Sequence, residues 1–289
     1  MENYRSLKKH YIGLDVFRAI AVIMVCAFHT TIHINANYGI LQSMSRMGAV
    51  FMTGFFMLSG YSLFVNYAGT TLIPLGQLKT FYIKRIISIV PIYYIAAILY
   101  ILINRQESIL ETIILIPTEA LGLQTVFSTL FPVTHNGGTW FVSCILFCYL
   151  IYPFAQELTK QFSVKTKIIV VLLLIFILLY SPFIAYIFKT DSIYSNPFFR
   201  ILEFSIGVIL ASLKPEIDNR KVSLLLYRWS FFWGILTLMV VGVTVAVKLG
   251  IYVDNYMMYS WICLPCFSLM MLSAGGLEST FLSESEFLK

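Results

Sequence analysis

The sequence predicts an all-α membrane protein, built as a polytopic bundle of transmembrane helices. Hydrophobic residues make up 59% of the 289 residues and charged residues only 12%, about half the charged share of soluble domains. Mean hydropathy is +0.83, and long apolar runs such as 168–188 and 231–247 suit a surface covered by lipid. This composition excludes a soluble globule, a disordered chain and a coiled coil.

A membrane span needs about 20 mostly apolar residues, and about eight segments of the chain meet this requirement. They are 13–34, 45–67, 82–103, 140–158, 167–187, 197–213, 229–248 and 256–274. Residues 104–139 mix Glu107, Glu111 and Glu119 with apolar residues and prolines, which predicts an amphipathic or re-entrant loop between the third and fourth spans. The whole chain, 1–289, is therefore predicted to form a single transmembrane domain.

The charge distribution predicts the orientation of the chain. The formal charge is +6, and the basic residues lie in short clusters between the apolar spans. Insertion topology and anionic lipid explain such clusters better than nucleic acid does. With the N-terminus inside, the large majority of Lys and Arg fall in internal segments, so both termini are predicted to be cytoplasmic.

The first predicted span contains an unusual set of ionisable side chains: Asp15, Arg18, His29 and His33. An arginine near the centre of a span costs about 2.5–3.5 kcal/mol to insert, so such residues usually face a bundle interior or an aqueous cavity and mark a functional path. Arg18 and His29 are eleven positions apart, so they share one helix face with roughly 16 Å between them.

Histidine exchanges protons near neutral pH, so His29 could activate a hydroxyl. The alternative role is a hydrogen bond to a neighbouring helix. His33 is spaced i, i+4 from His29, as in some metal sites, but no acidic or thiol partner accompanies the two, so no metal is predicted.

Two further pairs of charged residues lie at the starts of predicted membrane spans. Lys84 and Arg85 begin the third predicted span at its cytoplasmic end, where they would meet a phosphorylated cytosolic ligand or serve only as topological anchors. Arg200 and Glu203 are spaced i, i+3 at the start of the sixth span, which favours a structural ion pair on one helix face.

Five stretches, in order along the chain, carry a resemblance to one family. They are 13–29, with Arg18 and His29; 55–61, with Ser59 and Gly60; 81–94, with Lys84 and Arg85; 139–153, with Trp140; and 200–207, with Arg200 and Glu203. Together they resemble acyltransferase family 3, the integral-membrane acyltransferases that modify bacterial cell-surface glycans. Each motif is weak alone, but five in order with this arginine-to-histidine spacing are specific.

The resemblance implies an O-acetyltransferase type of enzyme, which moves an acyl group, usually acetyl, from cytosolic acyl-CoA to a hydroxyl of a cell-surface or exported glycan. It gives Arg18 and His29 the functional roles, with His29 as base or acyl relay. Lys84 and Arg85 would bind acyl-CoA, a co-substrate rather than a tightly bound cofactor. Residues with implied supporting roles are Asp15, Ser59, Gly60, Trp140, Arg200 and Glu203.

The same resemblance implies partners and a location. The partners are the lipid bilayer and a glycan or lipid-linked saccharide acceptor, with no nucleic acid. The location is the bacterial inner, or cytoplasmic, membrane, which the chain would cross several times.

The chain departs from the family pattern in three respects. Ser88 stands where the family commonly has a second arginine, which weakens any phosphate contact there. The helix that begins at Trp140 lacks the internal glutamate of one large branch, which leaves the acceptor class open. Relatives commonly have ten spans, so the count of eight predicts that the last two are lacking and that activity is impaired.

Two other functions remain open at this point. Charged residues within spans also mark the substrate paths of transporters and flippase-like proteins. A catalytically impaired family member that serves only as an interaction subunit is the other alternative, because of Ser88.

Overall fold

The computed structural model describes residues 11–103, 109–126, 137–188, 193–250 and 256–277, and all regular structure in these ranges is helical. The α-helices in chain order are α1 (Ile12–Ile34), α2 (Gln42–Arg46), α3 (Phe51–Tyr67), α4 (Leu75–Ile103), α5 (Ile109–Ala120), α6 (Trp140–Gln161), α7 (Val164–Phe188), α8 (Pro197–Ser212), α9 (Lys214–Asp218), α10 (Ser223–Leu226), α11 (Trp229–Lys248) and α12 (Tyr256–Ala274).

The polytopic helical architecture predicted from the sequence is confirmed. Within the described ranges, 6 helical segments are long and apolar enough to cross a membrane. They match six of the predicted spans and belong to α1, α3, α4, α6, α7 and α11. One of the other two predicted spans coincides with α8, which has 16 residues, and the other coincides with α12, in which Ser260–Ala274 is a shorter apolar helix.

Helix α4 begins earlier than the apolar pattern predicts. It starts at Leu75 and runs for 29 residues, with the Leu78 amide donating to the Pro74 carbonyl at its first turn. Lys84 and Arg85 therefore lie nearly three turns inside the helix, and their position at the cytoplasmic end of the membrane span stays a prediction. The first part of the helix contains the polar residues Gln77, Lys79 and Thr80, which lower its mean hydropathy. A criterion based on apolar runs therefore does not include it.

The segment between α4 and α6 contains α5 and a turn that lies against α6; Glu107 is outside the described residues. The Tyr93 hydroxyl donates to the Glu119 carbonyl at 2.6 Å and anchors the end of α5 on α4. The Ser143 hydroxyl donates to the Gly122 carbonyl at 2.6 Å. Gly122 has φ +66°, a left-handed conformation that glycine adopts without strain. Local hydrogen bonds therefore fix this turn in place.

The chain divides into two compact units. The first unit comprises Met1–Gly69, Thr159–Ile184 and Glu203–Lys289, and the second comprises Thr70–Leu158 and Ala185–Leu202. Helices α1 to α3 and α9 to α12 belong to the first unit, and α4, α5 and most of α6 belong to the second.

Helix α3 is the most buried span of the first unit, and it packs closely on α8 through glycines. A Cβ added to Gly60 would overlap the Phe204 carbonyl oxygen, and one added to Gly207 would overlap the Met57 carbonyl oxygen. Small residues permit such close approach of helices, which is a main source of helix association in lipid.

A hydrogen-bonded cluster fixes the loop between α8 and α11. The Lys214 ammonium donates to both carboxylate oxygens of Asp218, at 2.8 and 2.9 Å, and the Tyr227 hydroxyl donates to Asp218 Oδ1 at 2.6 Å. Burial first, and the hydrogen bond to Asp218 second, raise the pKa of Tyr227 above its usual value. Tyr227 therefore stays neutral and keeps its role as a donor.

The buried contact between Thr53 and Glu203 supplies a test of the packing of α3 on α8. The Thr53 hydroxyl donates to Glu203 Oε1 at 2.9 Å, and both side chains are buried. Thr53→Val removes this donor, so the free energy of unfolding should fall by about 1–3 kcal/mol. Thermal unfolding of the purified protein in one detergent measures the change.

Thr237→Val is the matched control. The Thr237 hydroxyl is exposed and donates to the Trp233 carbonyl of its own helix, so its loss should matter less. Equal shifts in the two variants would contradict a stabilising role for the Thr53 contact.

Candidate functional site

Helix α1 has a packed face and an open face. Leu14, Phe17, Ala21, Phe28 and Thr31 are buried, at the spacing expected of one side of a helix. The Phe17 ring meets the Phe267 ring edge-on, with 5.7 Å between their centroids. Arg18 and His29 each follow a buried phenylalanine and are both exposed, on the open part of the helix surface. The two predicted functional residues therefore share the open face of the first span.

Arg18 is oriented by a neighbour one turn before it. Its Nη1 donates to Asp15 Oδ1 at 2.5 Å, and the two side chains are 48% and 39% exposed. An ion pair this exposed contributes little to stability. The contact directs the guanidinium along the helix toward its N-terminal end.

His29 stacks on His33 on the open face. The ring centroids are 5.6 Å apart and the planes are 2° from parallel. The Phe28 ring lies edge-on to His29 at 5.4 Å. Among the described residues there is no group of three or more His, Cys, Asp or Glu side chains that could hold a metal ion. The arrangement can offer an imidazole to a reacting group from the open face of α1.

Lys84 and Arg85 lie in the second unit and differ in their surroundings. Lys84 is exposed, whereas Arg85 is half-buried. The Arg85 guanidinium carbon lies 5.9 Å from the Phe81 ring centroid and 5.8 Å from the Tyr149 ring centroid. These distances allow cation–π attraction. The guanidinium lies on the wall of a mostly apolar pocket of about 410 Å³ between α4, the turn after α5, and α6. The sequence predicted that Lys84 and Arg85 form a charged pair, but it did not predict the pocket.

Arg200 is buried in the second unit beside two aromatic rings. Its Nε and Nη2 donate to the Tyr194 carbonyl at 2.7 and 2.5 Å. The guanidinium carbon lies 5.2 Å from the Trp140 ring centroid and 4.7 Å from that of Tyr194. Arg200 thus joins the turn before α8 to the start of α6. Glu203 belongs to the first unit, where its carboxylate accepts a hydrogen bond from the Thr53 hydroxyl. The ion pair between Arg200 and Glu203 stays a prediction.

Ser59 and Gly60 lie in the middle of α3. Gly60 is buried against α8, and Ser59 beside it is half-buried. Gly207, the last residue of the fifth motif, makes the complementary close approach to Met57. Sequence reasoning did not assign that role to Gly207, although a glycine within an apolar span is a signal for it.

The structure brings some of the sequence-predicted residues together. Asp15 contacts Arg18, and Trp140 contacts Arg200, each within one unit. Arg18 and His29 belong to the first unit, and Lys84 and Arg85 belong to the second.

Taken with the helical architecture, these features define a membrane protein with several spans and an exposed arginine and histidine on its first one. The chain matches the model of the family described as an acyltransferase domain over residues 11–284, and it belongs to that family, acyltransferase family 3. No curated protein and no solved structure matches it. The resemblance seen in the five motifs is confirmed, and the chain is a membrane acyltransferase.

Proposed function

We propose that this protein transfers an acyl group from cytosolic acyl-CoA to a hydroxyl of an exported or cell-surface glycan, in the inner membrane of a bacterium. The observation that carries this proposal is the open face of α1, where Arg18 and His29 are exposed. Membership of an acyltransferase family supplies the reaction type.

The chemistry follows from these residue types. The glycan hydroxyl attacks the carbonyl carbon of the thioester, so that a C–O bond forms and the C–S bond breaks. His29 accepts the hydroxyl proton and returns it to the departing sulfur, which leaves as the CoA thiol. A route in two steps through an acyl-histidine gives the same products.

The cationic residues bind the donor in this proposal. Arg18 lies about 16 Å from His29 along the helix axis, so the two can act on different parts of one extended molecule. The exposed ammonium of Lys84 suits the CoA phosphates. An exposed cation of this kind attracts the anionic nucleotide end of the donor.

Replacing Lys84 and Arg85 together by glutamine tests this assignment. The double variant should raise the KM for acyl-CoA by at least about tenfold, with little change in the KM for the glycan, because charge-assisted contacts to phosphate are lost. The difference from wild type should shrink at high salt, which screens exposed charges. Steady-state kinetics with each substrate varied in turn measures both effects.

Lys165→Gln with Arg220→Gln is the matched control, because both residues are basic, exposed and outside the five motifs. Equal changes for the two substrates in the Lys84 and Arg85 variant, or the same increase in the control, would favour topological anchoring.

Mass spectrometry of surface glycan from cells with and without this chain tests the proposed function itself. We expect an ester-linked acyl group that is present only when the chain is expressed. Glycan with the same acyl content in both strains would contradict the proposal. Export of glycan that depends on the chain, with no consumption of acyl-CoA, would favour a transporter.

A further inference from the structure

The loop that follows α1 turns back onto the end of that helix. Asn35 ends α1 in a left-handed conformation with φ 54°, which asparagine adopts more readily than most residues. The backbone N–H groups of Asn35 and Ala36 both donate to the Thr30 carbonyl. The chain therefore reverses within a few residues and brings Tyr38 beside the last turns of α1.

Tyr38 is held at two points, although its side chain is exposed. Its hydroxyl lies 2.7 Å from Thr30 Oγ1. The Thr30 hydroxyl directs its own hydrogen to the Ala27 carbonyl at 3.0 Å, so Tyr38 is the donor in this contact. The Tyr38 backbone N–H donates to Gln42 Oε1 at 2.8 Å. The ring, 41% exposed, is thus a positioned aromatic surface, which binds a partner at a low cost in conformational entropy.

Two side-chain amides flank Tyr38 in this loop. Asn37 Oδ1 accepts from the Gly39 N–H at 2.9 Å, and Gln42 Oε1 accepts from Tyr38. These contacts fix the orientation of both amides, so each presents its NH2 group as a hydrogen-bond donor. An aromatic face beside amide donors suits a pyranose, because the C–H face of a sugar ring is apolar and its hydroxyl oxygens accept hydrogen bonds.

The loop lies at the end of α1 that carries the proposed base. Thr30, which accepts from Tyr38, directly follows His29 in the helix. All of these residues belong to the first unit. In the orientation predicted from the charge distribution, this end of α1 lies on the outer side of the membrane, where an exported glycan is found.

We propose that Tyr38 is a stacking surface for a pyranose ring of the glycan acceptor, and that the amides of Asn37 and Gln42 bind the hydroxyls of that sugar. This inference rests on the proposed function and names the acceptor-binding residues of the same site. Tyr38 binds and positions the acceptor, whereas the proton transfer stays with His29.

The test uses purified protein in lipid nanodiscs and glycan from cells that lack this chain, treated with mild base to remove its esters. Tyr38→Ala removes the ring, and Tyr38→Trp keeps an aromatic face but lacks the hydroxyl that donates to Thr30. Tyr186→Ala is the control, because Tyr186 is 84% exposed and lies on α7, outside the five motifs. The readouts are the Kd of the glycan and the KM of each substrate.

We expect Tyr38→Ala to raise the Kd and the KM for glycan by at least about tenfold, because the stacking contact is lost. The KM for acyl-CoA should stay at the value of the wild type. Tyr38→Trp should bind glycan within about threefold of the wild type, which separates stacking from the hydrogen bond to Thr30. Tyr186→Ala should match the wild type in all three constants.

Glycan that does not bind the wild type, or that binds Tyr38→Ala as tightly, would overturn the inference. So would an equal rise in KM for both substrates, the same loss in Tyr186→Ala, or a tryptophan variant as weak as the alanine variant. Acyl transfer to glycan that is independent of Tyr38 would leave the proposed function standing and reject only this inference. Glycan binding that depends on Tyr38, with no acyl group transferred, would reject the proposed function and support the stacking surface.

Discussion

Replacing His29 by alanine is expected to abolish acyl transfer while leaving a folded, monodisperse protein. The side chain is exposed on the open face of α1, so its removal leaves no cavity in the core. General acid–base catalysis by a positioned histidine accounts for a factor of about 10²–10⁴ in rate, and the variant should lose at least this much. The rate of glycan acylation by purified variant, at saturating acyl-CoA, measures the effect.

His33→Ala is the matched control for this prediction. His33 lies one turn further along the same exposed face and stacks on His29 at 5.6 Å. Its removal changes the same surface without removing the proposed base, so activity should stay close to that of the wild type. Normal acylation by His29→Ala, or an equal loss in the two variants, would show that His29 is not the catalytic group.

Gly60→Ala and Gly207→Ala are expected to destabilise the protein strongly, each through the contact between α3 and α8. The new methyl at Gly60 would overlap the Phe204 carbonyl oxygen and lie 3.1 Å from the Val208 nitrogen. The methyl at Gly207 would overlap the Met57 carbonyl oxygen and lie 2.7 Å from its carbon. These neighbours are backbone atoms and cannot rotate away, so the helices must separate, at a cost of about 1–3 kcal/mol or more.

Gly234→Ala provides the control, since a Cβ at that position meets nothing within 4 Å. It should leave stability unchanged or raise it by up to about 1 kcal/mol, because alanine favours a helix more than glycine does. The measurement is the thermal unfolding midpoint of each variant in the same detergent. A midpoint for Gly60→Ala equal to that of the wild type would contradict the close contact.

The helical architecture could be predicted from the sequence because lipid imposes it. A chain with long apolar runs must satisfy its backbone hydrogen bonds internally, and helices do so segment by segment. The shared face of Arg18 and His29 was equally predictable, because it follows from helical periodicity alone. Both features depend on residues close together in the chain.

Features that depend on distant residues could not be predicted in this way. The guanidinium of Arg200 lies beside the ring of Trp140, and no helical spacing indicates this partner. The pocket beside Arg85 requires the turn at Gly122 to lie against α6, which depends on a hydrogen bond from Ser143. The early start of α4 was missed for another reason, since polar residues in its first turns lower the local hydropathy.

A labelled acyl group can be followed in proteoliposomes that contain the purified chain, with acyl-CoA on one side and glycan on the other, to test directly whether this protein acylates glycan. We expect label to appear in an ester on the glycan, with one CoA thiol released for each acyl group transferred, and we expect His29→Ala to abolish both. Release of CoA thiol with no label on glycan, or passage of unlabelled glycan across the membrane with no thiol released, would contradict this expectation.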